Sequence, residues 1–123
     1  MSTALSGPAK EIGEQLAFGS NIYFDKINAD SGIDGQNIHL IIADDGYEPK
    51  NTVVNTRQFL FSDNIHAIFG SMGTPTAHAI KPLLDRHRVP FLMPFTGADF
   101  LHNNSMPNVF NLRASYQDEA SEQ

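Results

Sequence analysis

The sequence predicts an α/β domain in which a parallel β-sheet lies between layers of helices. Three short runs rich in β-branched and aromatic residues predict strands at residues 38–43, 65–69 and 89–93. Segments with helical periodicity precede and separate these runs. Because each helical crossover returns the chain to the same end of the sheet, the strands are expected to run parallel. With 123 residues, 41% of them hydrophobic, the chain is long enough for one domain with a core of its own.

The first helix is predicted over residues 8–29. Its apolar positions recur at steps of three and four residues, which places them on one broad face. Those positions are Ile12, Leu16, Tyr23 and Ile27, with Phe18 and Ile22 alongside. Pro8 suits the first turn, where its missing N–H would have no helical partner anyway. The segment Ser31-Gly-Ile-Asp-Gly35 predicts a turn after the helix.

Two more helices and a fourth strand are predicted after the Asp44-Asp-Gly46 turn. The second helix is indicated by Pro49 and an apolar run: Val53, Val54, Phe59, Leu60 and Phe61. The third helix is predicted over residues 74–86, with four residues on its inner side: Ala77, Ile80, Leu83 and Leu84. Beyond Pro94 we expect a helical turn at residues 98–101 and a strand at residues 109–112. The polar tail 117–123 resembles the start of another helix.

Composition and motifs exclude several classes of function. Eight Lys and Arg against 14 Asp and Glu give a formal net charge of −6, and no basic run offers a nucleic-acid surface. No apolar run reaches the roughly 18 residues of a membrane span. The chain has no Cys, its five His lack metal-ligand spacing, and no catalytic motif is present, so we expect neither a metal nor enzymatic activity. No secretory signal is visible at Met1, which indicates either a cytosolic protein or an internal piece of a longer one.

Three strand-to-helix turns share one chemistry. Ser6-Gly-Pro8 opens the first helix, Gly73-Thr-Pro-Thr76 opens the third, and Phe95-Thr-Gly-Ala98 follows the third predicted strand. In a parallel sheet these turns lie at the same carboxyl edge, where ligands bind in open α/β folds. Hydroxyls beside the N–H groups of a helix start attract a carboxylate or another small anion. The alternative is that Ser6, Thr74 and Thr96 are ordinary N-caps or turn formers.

The acidic pair Asp44-Asp45 raises a rival interpretation. A phospho-accepting receiver domain is also a parallel α/β fold with an acidic pair at a strand end, and Thr96 matches its conserved hydroxyl element. However, the middle strand ends in Gly70-Ser71 without an acceptor Asp, and no Lys follows the last strands. Phosphorylation chemistry therefore lacks its acceptor.

An ordered set of motifs resembles the amino-terminal lobe of type I periplasmic solute-binding proteins, in the leucine/isoleucine/valine-binding branch that serves ABC transporters. The motifs extend over nearly all 123 residues. In order they are Leu5-Ser-Gly-Pro-Ala9, Tyr23-Phe-Asp-Lys-Ile-Asn28, Gly32-Ile-Asp-Gly35, Asp44-Asp-Gly-Tyr-Glu-Pro49, Phe69-Gly-Ser-Met-Gly-Thr-Pro-Thr76, Pro94-Phe-Thr-Gly97 and Val109-Phe-Asn-Leu-Arg113. The resemblance implies a three-layer, flavodoxin-like lobe without catalysis or cofactor, one of two lobes that close on a small ligand.

The resemblance also implies which residues bind. Thr74 would give hydroxyl and amide donors to the ligand's carboxylate, and Phe95, Thr96 and Gly97 would supply backbone groups for carboxylate and ammonium. Ser71 and Ser6 would line the cleft. Ile12 is aliphatic where amino-acid-binding relatives place an aromatic side chain near the ligand, so amides, aromatic acids and other carboxylates stay open beside branched-chain amino acids.

The resemblance further implies that residues 1–123 are a lobe incomplete at both ends, with only Met1 to Leu5 left of the first strand. Unpaired strands and an uncovered cleft then predict a homodimer or larger assembly. The implied setting is the periplasm or cell exterior, with a membrane ABC permease as partner of the full-length protein. A ligand-sensing domain of a signalling receptor is the alternative output.

Overall fold

Strands and helices alternate in the predicted order through the computed structural model, which describes residues 1–103 and 106–122. The elements are β1 (Ser2–Thr3), α1 (Lys10–Ala29), β2 (Ala43–Asp44), α2 (Pro49–Phe61), β3 (Ile68–Phe69), α3 (Thr74–His87), β4 (Phe91–Leu92), a 3₁₀ turn (Asp99–Leu101), β5 (Val109–Phe110) and α4 (Tyr116–Ser121). Strand β1 pairs with β2, and β4 pairs with β3 and β5, all in parallel. The predicted α/β class is confirmed. Gln123, the end of the tail predicted to be helical, lies outside the described residues.

The strands are shorter than predicted, and the strand predicted at residues 38–43 shows one reason. Ile38 donates its N–H to the side-chain oxygen of Asn28 at 2.7 Å, and its carbonyl accepts from the side-chain nitrogen at 2.9 Å. Backbone groups held by a side chain are not free for a β-ladder. The predicted strand at residues 38–43 therefore does not form at its start, and β2 (Ala43–Asp44) begins only where the N–H of Ala43 reaches the carbonyl of Met1.

The predicted apolar face of helix α1 is not the face that packs on the strands, so this prediction was wrong. Its buried residues are Gly13 and Ala17, whereas Ile12 and Tyr23 are 51% and 61% exposed, and Phe18 and Ile22 are exposed as well. The reason is close approach: a Cβ added at Gly13 would lie 1.8 Å from the carbonyl oxygen of Ala4. Only small residues can face β1 at that distance, so the large apolar side chains point away.

The strands form two parallel sheets, β1-β2 and β3-β4-β5, instead of the single predicted sheet, and helices cover both sides of the three-stranded one. Ile68 of β3 belongs to the main core cluster with Ala77, Ile80 and Leu84 of α3, three of the predicted inner residues. The next residue, Phe69, packs on Phe24 of α1 with ring centroids 5.0 Å apart. Because neighbouring strand residues point to opposite faces, α1 and α3 lie on opposite sides, which makes three layers. Within the described ranges, no helix is long and apolar enough to span a membrane.

Candidate functional site

The turns after β3 and β4 are joined by backbone hydrogen bonds. Phe95 donates its N–H to the carbonyl of Ser71 at 2.9 Å, and Gly73 donates to the carbonyl of Phe95 at 3.3 Å. Met72 and Phe95 form an isolated parallel bridge. The segments 71–76 and 95–98, which include two of the three predicted turns, therefore form one ledge beyond the strand ends, at the start of α3.

The side chains on this ledge bring the predicted hydroxyls together. Thr74 Oγ1 and Thr96 Oγ1 lie 2.6 Å apart, and Thr96 Oγ1 also accepts the N–H of Ala98 at 3.2 Å. Thr96 is only 1% exposed, whereas Thr74 is half-buried. Thr74 is thus the hydroxyl that a ligand can reach, and Thr96 holds it in place from below.

Helix α3 begins without a side-chain cap. Its N-cap is Gly73, and its first turn contains no acidic residue. The N–H groups at a helix start carry partial positive charge, and no carboxylate of the helix neutralises it here. This end of α3 is therefore suited to an anion, next to the Thr74 hydroxyl.

Gly73 also connects the ledge to the turn after β2. Its φ of 98° favours glycine, and an added Cβ would lie 2.2 Å from the ring of Tyr47. Tyr47 follows Gly46, and a Cβ at Gly46 would lie 3.3 Å from Ser6 Oγ. The predicted turn at Ser6 is thus a neighbour of the ledge along the same edge, with the Tyr47 turn between them.

The Ser6 hydroxyl is itself engaged. Its hydrogen bond to Asp44, together with the N–H groups of Leu5 and Gly46, holds the pKa of the Asp44 carboxyl below its usual value. Leu5 and Gly46 each donate at 2.8 Å. Ser6 therefore shapes its own turn, and any role in ligand binding would be at the rim of the site.

Ser71 and Gly97 are enclosed. Ser71 is 1% exposed, and its Oγ has no hydrogen-bond partner among the described residues. Gly97 is buried under Tyr116, and its carbonyl accepts the N–H of Tyr116 at 2.7 Å. Both lie within the ledge rather than on its surface.

An open apolar hollow of about 390 Å³ adjoins the ledge. It is lined by Phe95 and by the first turns of α1, through Glu11, Ile12, Gln15 and Leu16. Ile12 and Leu16, which α1 does not fully bury, are therefore available here to a ligand. Phe95 joins the polar and apolar parts of the site.

Two residues of the site were not predicted from the sequence. The Tyr116 hydroxyl lies 3.2 Å from Thr96 Oγ1, and hydrogen bonds to Thr96 and Thr74 lower the pKa of Tyr116. The Arg113 guanidinium stacks over the rings of Phe95 and Tyr116, 5.8 and 5.3 Å from their centroids, and binds Glu119 at 2.8 Å. Ser115-Tyr-Gln-Asp118 forms a capping box that starts α4, and this pattern could have placed Tyr116 at a helix start.

The described residues contain no cluster of three or more His, Cys, Asp or Glu side chains that could hold a metal ion. The site instead combines hydroxyl donors, a helix start and an apolar wall. Such a combination can bind an anionic group that carries an apolar body.

Comparisons with known proteins also point to a family of binding proteins. The sequence profile of a family described as periplasmic binding protein matches residues 1–122. The chain is 30% identical to the Leu/Ile/Val-binding protein homolog 3 of Brucella melitensis over 106 residues, which are 86% of this chain and 28% of that protein.

Two solved structures are similar throughout. The first is a possible leucine/isoleucine/valine-binding protein from Rhodopirellula baltica, with a TM-score of 0.92 and 38% identity over 99% of this chain and 32% of that one. The second is an ABC transporter substrate-binding protein from Sphaerobacter thermophilus, with a TM-score of 0.82 and 26% identity over 99% of this chain and 35% of that one. The chain thus spans about a third of the length of these structures.

Proposed function

The chain belongs to the periplasmic binding protein family, and from this premise we propose that it binds a small carboxylate-bearing solute, such as an amino acid or a related compound. In this proposal the chain is the amino-terminal lobe of the extracytoplasmic substrate-binding component of an ABC transporter. The observation that carries the proposal is the pair of hydroxyls on Thr74 and Thr96, 2.6 Å apart at the uncapped start of α3. The role is binding, without catalysis.

The start of α3 supports the carboxylate half of the proposal. An anion near a helix N-terminus is stabilised by about 0.3–1 kcal/mol, and a hydrogen bond to a charged group adds about 1.5–3 kcal/mol. The hydroxyl and the N–H of Thr74 would supply these interactions, since Pro75 has no N–H and the N–H of Ala77 is bonded to Gly73. No Lys or Arg is needed at this point.

The hollow beside Phe95 supports the other half. A ligand whose carboxylate lies on Thr74 would extend its body toward Phe95, Ile12 and Leu16. Leucine, isoleucine and valine have such bodies, and so do aromatic acids. Contact with apolar side chains contributes about 25 cal/mol for each Å² removed from water.

The remaining contacts would come from a second lobe. Because the chain spans about a third of its solved relatives, a ligand held only by this ledge stays open to water on one side. Ligand sites normally bury most of the ligand surface. We therefore propose weak, millimolar binding by this chain alone, and tight binding with the second lobe, in the periplasm and in contact with a membrane permease.

We expect Thr74→Val to weaken binding about tenfold or more, because it removes a hydroxyl that donates to the carboxylate and keeps the side-chain shape. The measurement is a thermal-shift screen of amino acids and small carboxylates, including leucine, isoleucine, valine and benzoate, followed by titration of the best compound. Thr74→Ser is the matched control, since it retains the hydroxyl and should retain most of the affinity. If the best compound stabilises the wild type and Thr74→Val equally, the site assignment is wrong.

We also propose that this chain self-associates through the exposed sheet surface on the α1 side. Phe110 is in register with Phe69 and Leu92 and so shares their side of the sheet, yet it is 55% exposed, and Leu112 beyond it is 79% exposed. Exposed apolar surface of this kind is commonly covered by a partner, and a second copy offers an identical surface.

We expect sedimentation of the 123-residue chain to give a mass that rises with concentration, and Phe110→Lys to shift the equilibrium toward the monomer by placing a charge in the contact. Val54→Lys is the matched control, because Val54 is 63% exposed on α2. A monomer mass that does not depend on concentration would contradict self-association.

A further inference from the structure

Tyr116 shares the hydroxyl cluster at the start of α3. Thr96 Oγ1 lies at its centre, 2.6 Å from Thr74 Oγ1 and 3.2 Å from the Tyr116 hydroxyl, and it accepts the N–H of Ala98. Thr74 and Tyr116 are therefore the two outer members of a cluster of three hydroxyls. Both are open to solvent, Thr74 in part and Tyr116 at 44%.

The cluster also closes on its open side, because Tyr116 is hydrogen-bonded to Thr74 as well as to Thr96. Each hydroxyl carries one proton, so three protons can be shared among the three contacts. Thr96 is buried, whereas Thr74 and Tyr116 are reached by solvent. The contact between Thr74 and Tyr116 is therefore the one that a ligand can replace.

A carboxylate could replace that contact. Thr74 and Tyr116 would each donate to a carboxylate oxygen, while Thr96 donates to the hydroxyl oxygen of Thr74 or of Tyr116 and still accepts from Ala98. All three protons would keep acceptors. A carboxylate has two oxygens and accepts several hydrogen bonds, so it matches two converging hydroxyl donors.

Tyr116 is fixed independently of its hydroxyl. Its backbone N–H is bonded to Gly97 at 2.7 Å, and the Arg113 guanidinium lies over its ring at 5.3 Å. Arg113 is in turn paired with Glu119 through two contacts of 2.8 and 3.1 Å. The phenol is thus held at the cluster by its backbone and its ring, so its hydroxyl remains available to a ligand.

We propose that Tyr116 is a ligand-binding residue, and that its phenol donates to the solute's carboxylate together with Thr74. This inference rests on the proposed function and adds to it a residue from α4. Helix α4 thereby becomes part of the site.

Tyr116→Phe tests the inference, since it removes only the hydroxyl. The probes are leucine and benzoate, with leucinamide and benzamide as analogues that lack the carboxylate. We expect the affinity for the better carboxylate probe to fall about tenfold in Tyr116→Phe. Tyr23→Phe, on an exposed part of α1, should bind as the wild type does.

A spectroscopic readout separates ligand contact from a structural role. The chain has three Tyr and no Trp, so tyrosine ultraviolet absorbance and fluorescence report on few side chains. We expect the carboxylate probe to change the tyrosine spectrum of the wild type and of Tyr23→Phe, and to change that of Tyr116→Phe much less, because only Tyr47 then lies near the site. A residue that only supports the fold would give the same ligand-induced spectrum in all three proteins.

The outcomes distinguish the two proposals. If the wild type and Tyr116→Phe bind the carboxylate equally and show the same spectral change, the role of Tyr116 is wrong while the binding function stands. If the amides bind the wild type as well as the carboxylates do, the hydroxyl cluster is not the carboxylate site, and the inference is overturned. If neither carboxylate binds the wild type, both the inference and the choice of ligand class fail.

Discussion

Gly13→Ala is expected to destabilise the protein by about 3 kcal/mol or more, although alanine is ordinarily the better helix residue. The added Cβ would lie 1.8 Å from the carbonyl oxygen of Ala4 and 2.7 Å from its carbonyl carbon. These are backbone atoms of the segment that continues β1, so they cannot rotate away as a side chain could. Helix α1 must move off the sheet, which opens the packing of Ala17 and Phe24. Urea unfolding followed by circular dichroism measures the loss.

Gly19→Ala is the matched control within the same helix. Gly19 is exposed, and a Cβ there would have no atom within 4 Å outside its own turn. Here only the helix preference acts, so the substitution should stabilise the protein by about 0.5–1 kcal/mol. Equal effects of the two substitutions would show that α1 does not approach β1 as closely as the structure indicates.

The close approach of Gly13 to Ala4 also explains why the sequence predicted the wrong contact face for α1. Apolar periodicity predicted the start of α1 to within two residues and predicted its end, Ala29, correctly. It misassigned the contact face, because periodicity weighs large apolar residues, whereas Gly13 and Ala17 make the contact by being small. Ile12 and Leu16 instead border the hollow beside Phe95. An apolar side chain at a binding surface gives the same pattern as one in a core.

In the candidate site, too, local sequence patterns predict some residues and miss others. Turn chemistry at the strand ends was enough to select Thr74 and Thr96, because parallel strands end at one edge, and the structure places their hydroxyls in contact. Tyr116 lies 20 residues beyond Thr96 and reaches it only when β5 and α4 fold back over Gly97. No local pattern encodes that return. The assignment of Thr74, Phe95, Thr96, Gly97, Ser71 and Ser6 to ligand binding stays a prediction until ligands are measured.

Asp45 gives the second large expected effect, because it is a carboxylate only 1% exposed. Its Oδ2 accepts from Ser2 Oγ at 2.7 Å and from Thr52 Oγ1 at 3.1 Å, and its Oδ1 accepts the N–H of Tyr47 at 2.9 Å. The carboxylate thereby ties β1, the turn after β2 and α2 together. This engagement also argues against a receiver-type acidic pair, since such a pair must be open to a metal ion.

Asp45→Ala should cost about 3 kcal/mol, because Ser2 and Tyr47 lose their acceptor and Thr52 keeps only the carbonyl of Glu48. A donor left unsatisfied in a buried place costs about 1–3 kcal/mol. Asp45→Asn should cost less, because its amide oxygen can still accept from Tyr47. Asp44→Ala is the matched neighbour: Asp44 is exposed and bonded to Leu5 and Gly46, so water can replace its carboxylate. Urea unfolding should rank the losses with Asp45→Ala first, and equal losses at the two positions would contradict the buried network. The N–H of Tyr47 is held by Asp45, and the Tyr47 ring packs on Gly73 at the start of α3. Loss of the Asp45 carboxylate should therefore loosen the start of α3. We expect Asp45→Ala to weaken binding of the best carboxylate ligand, although Asp45 itself does not touch that ligand.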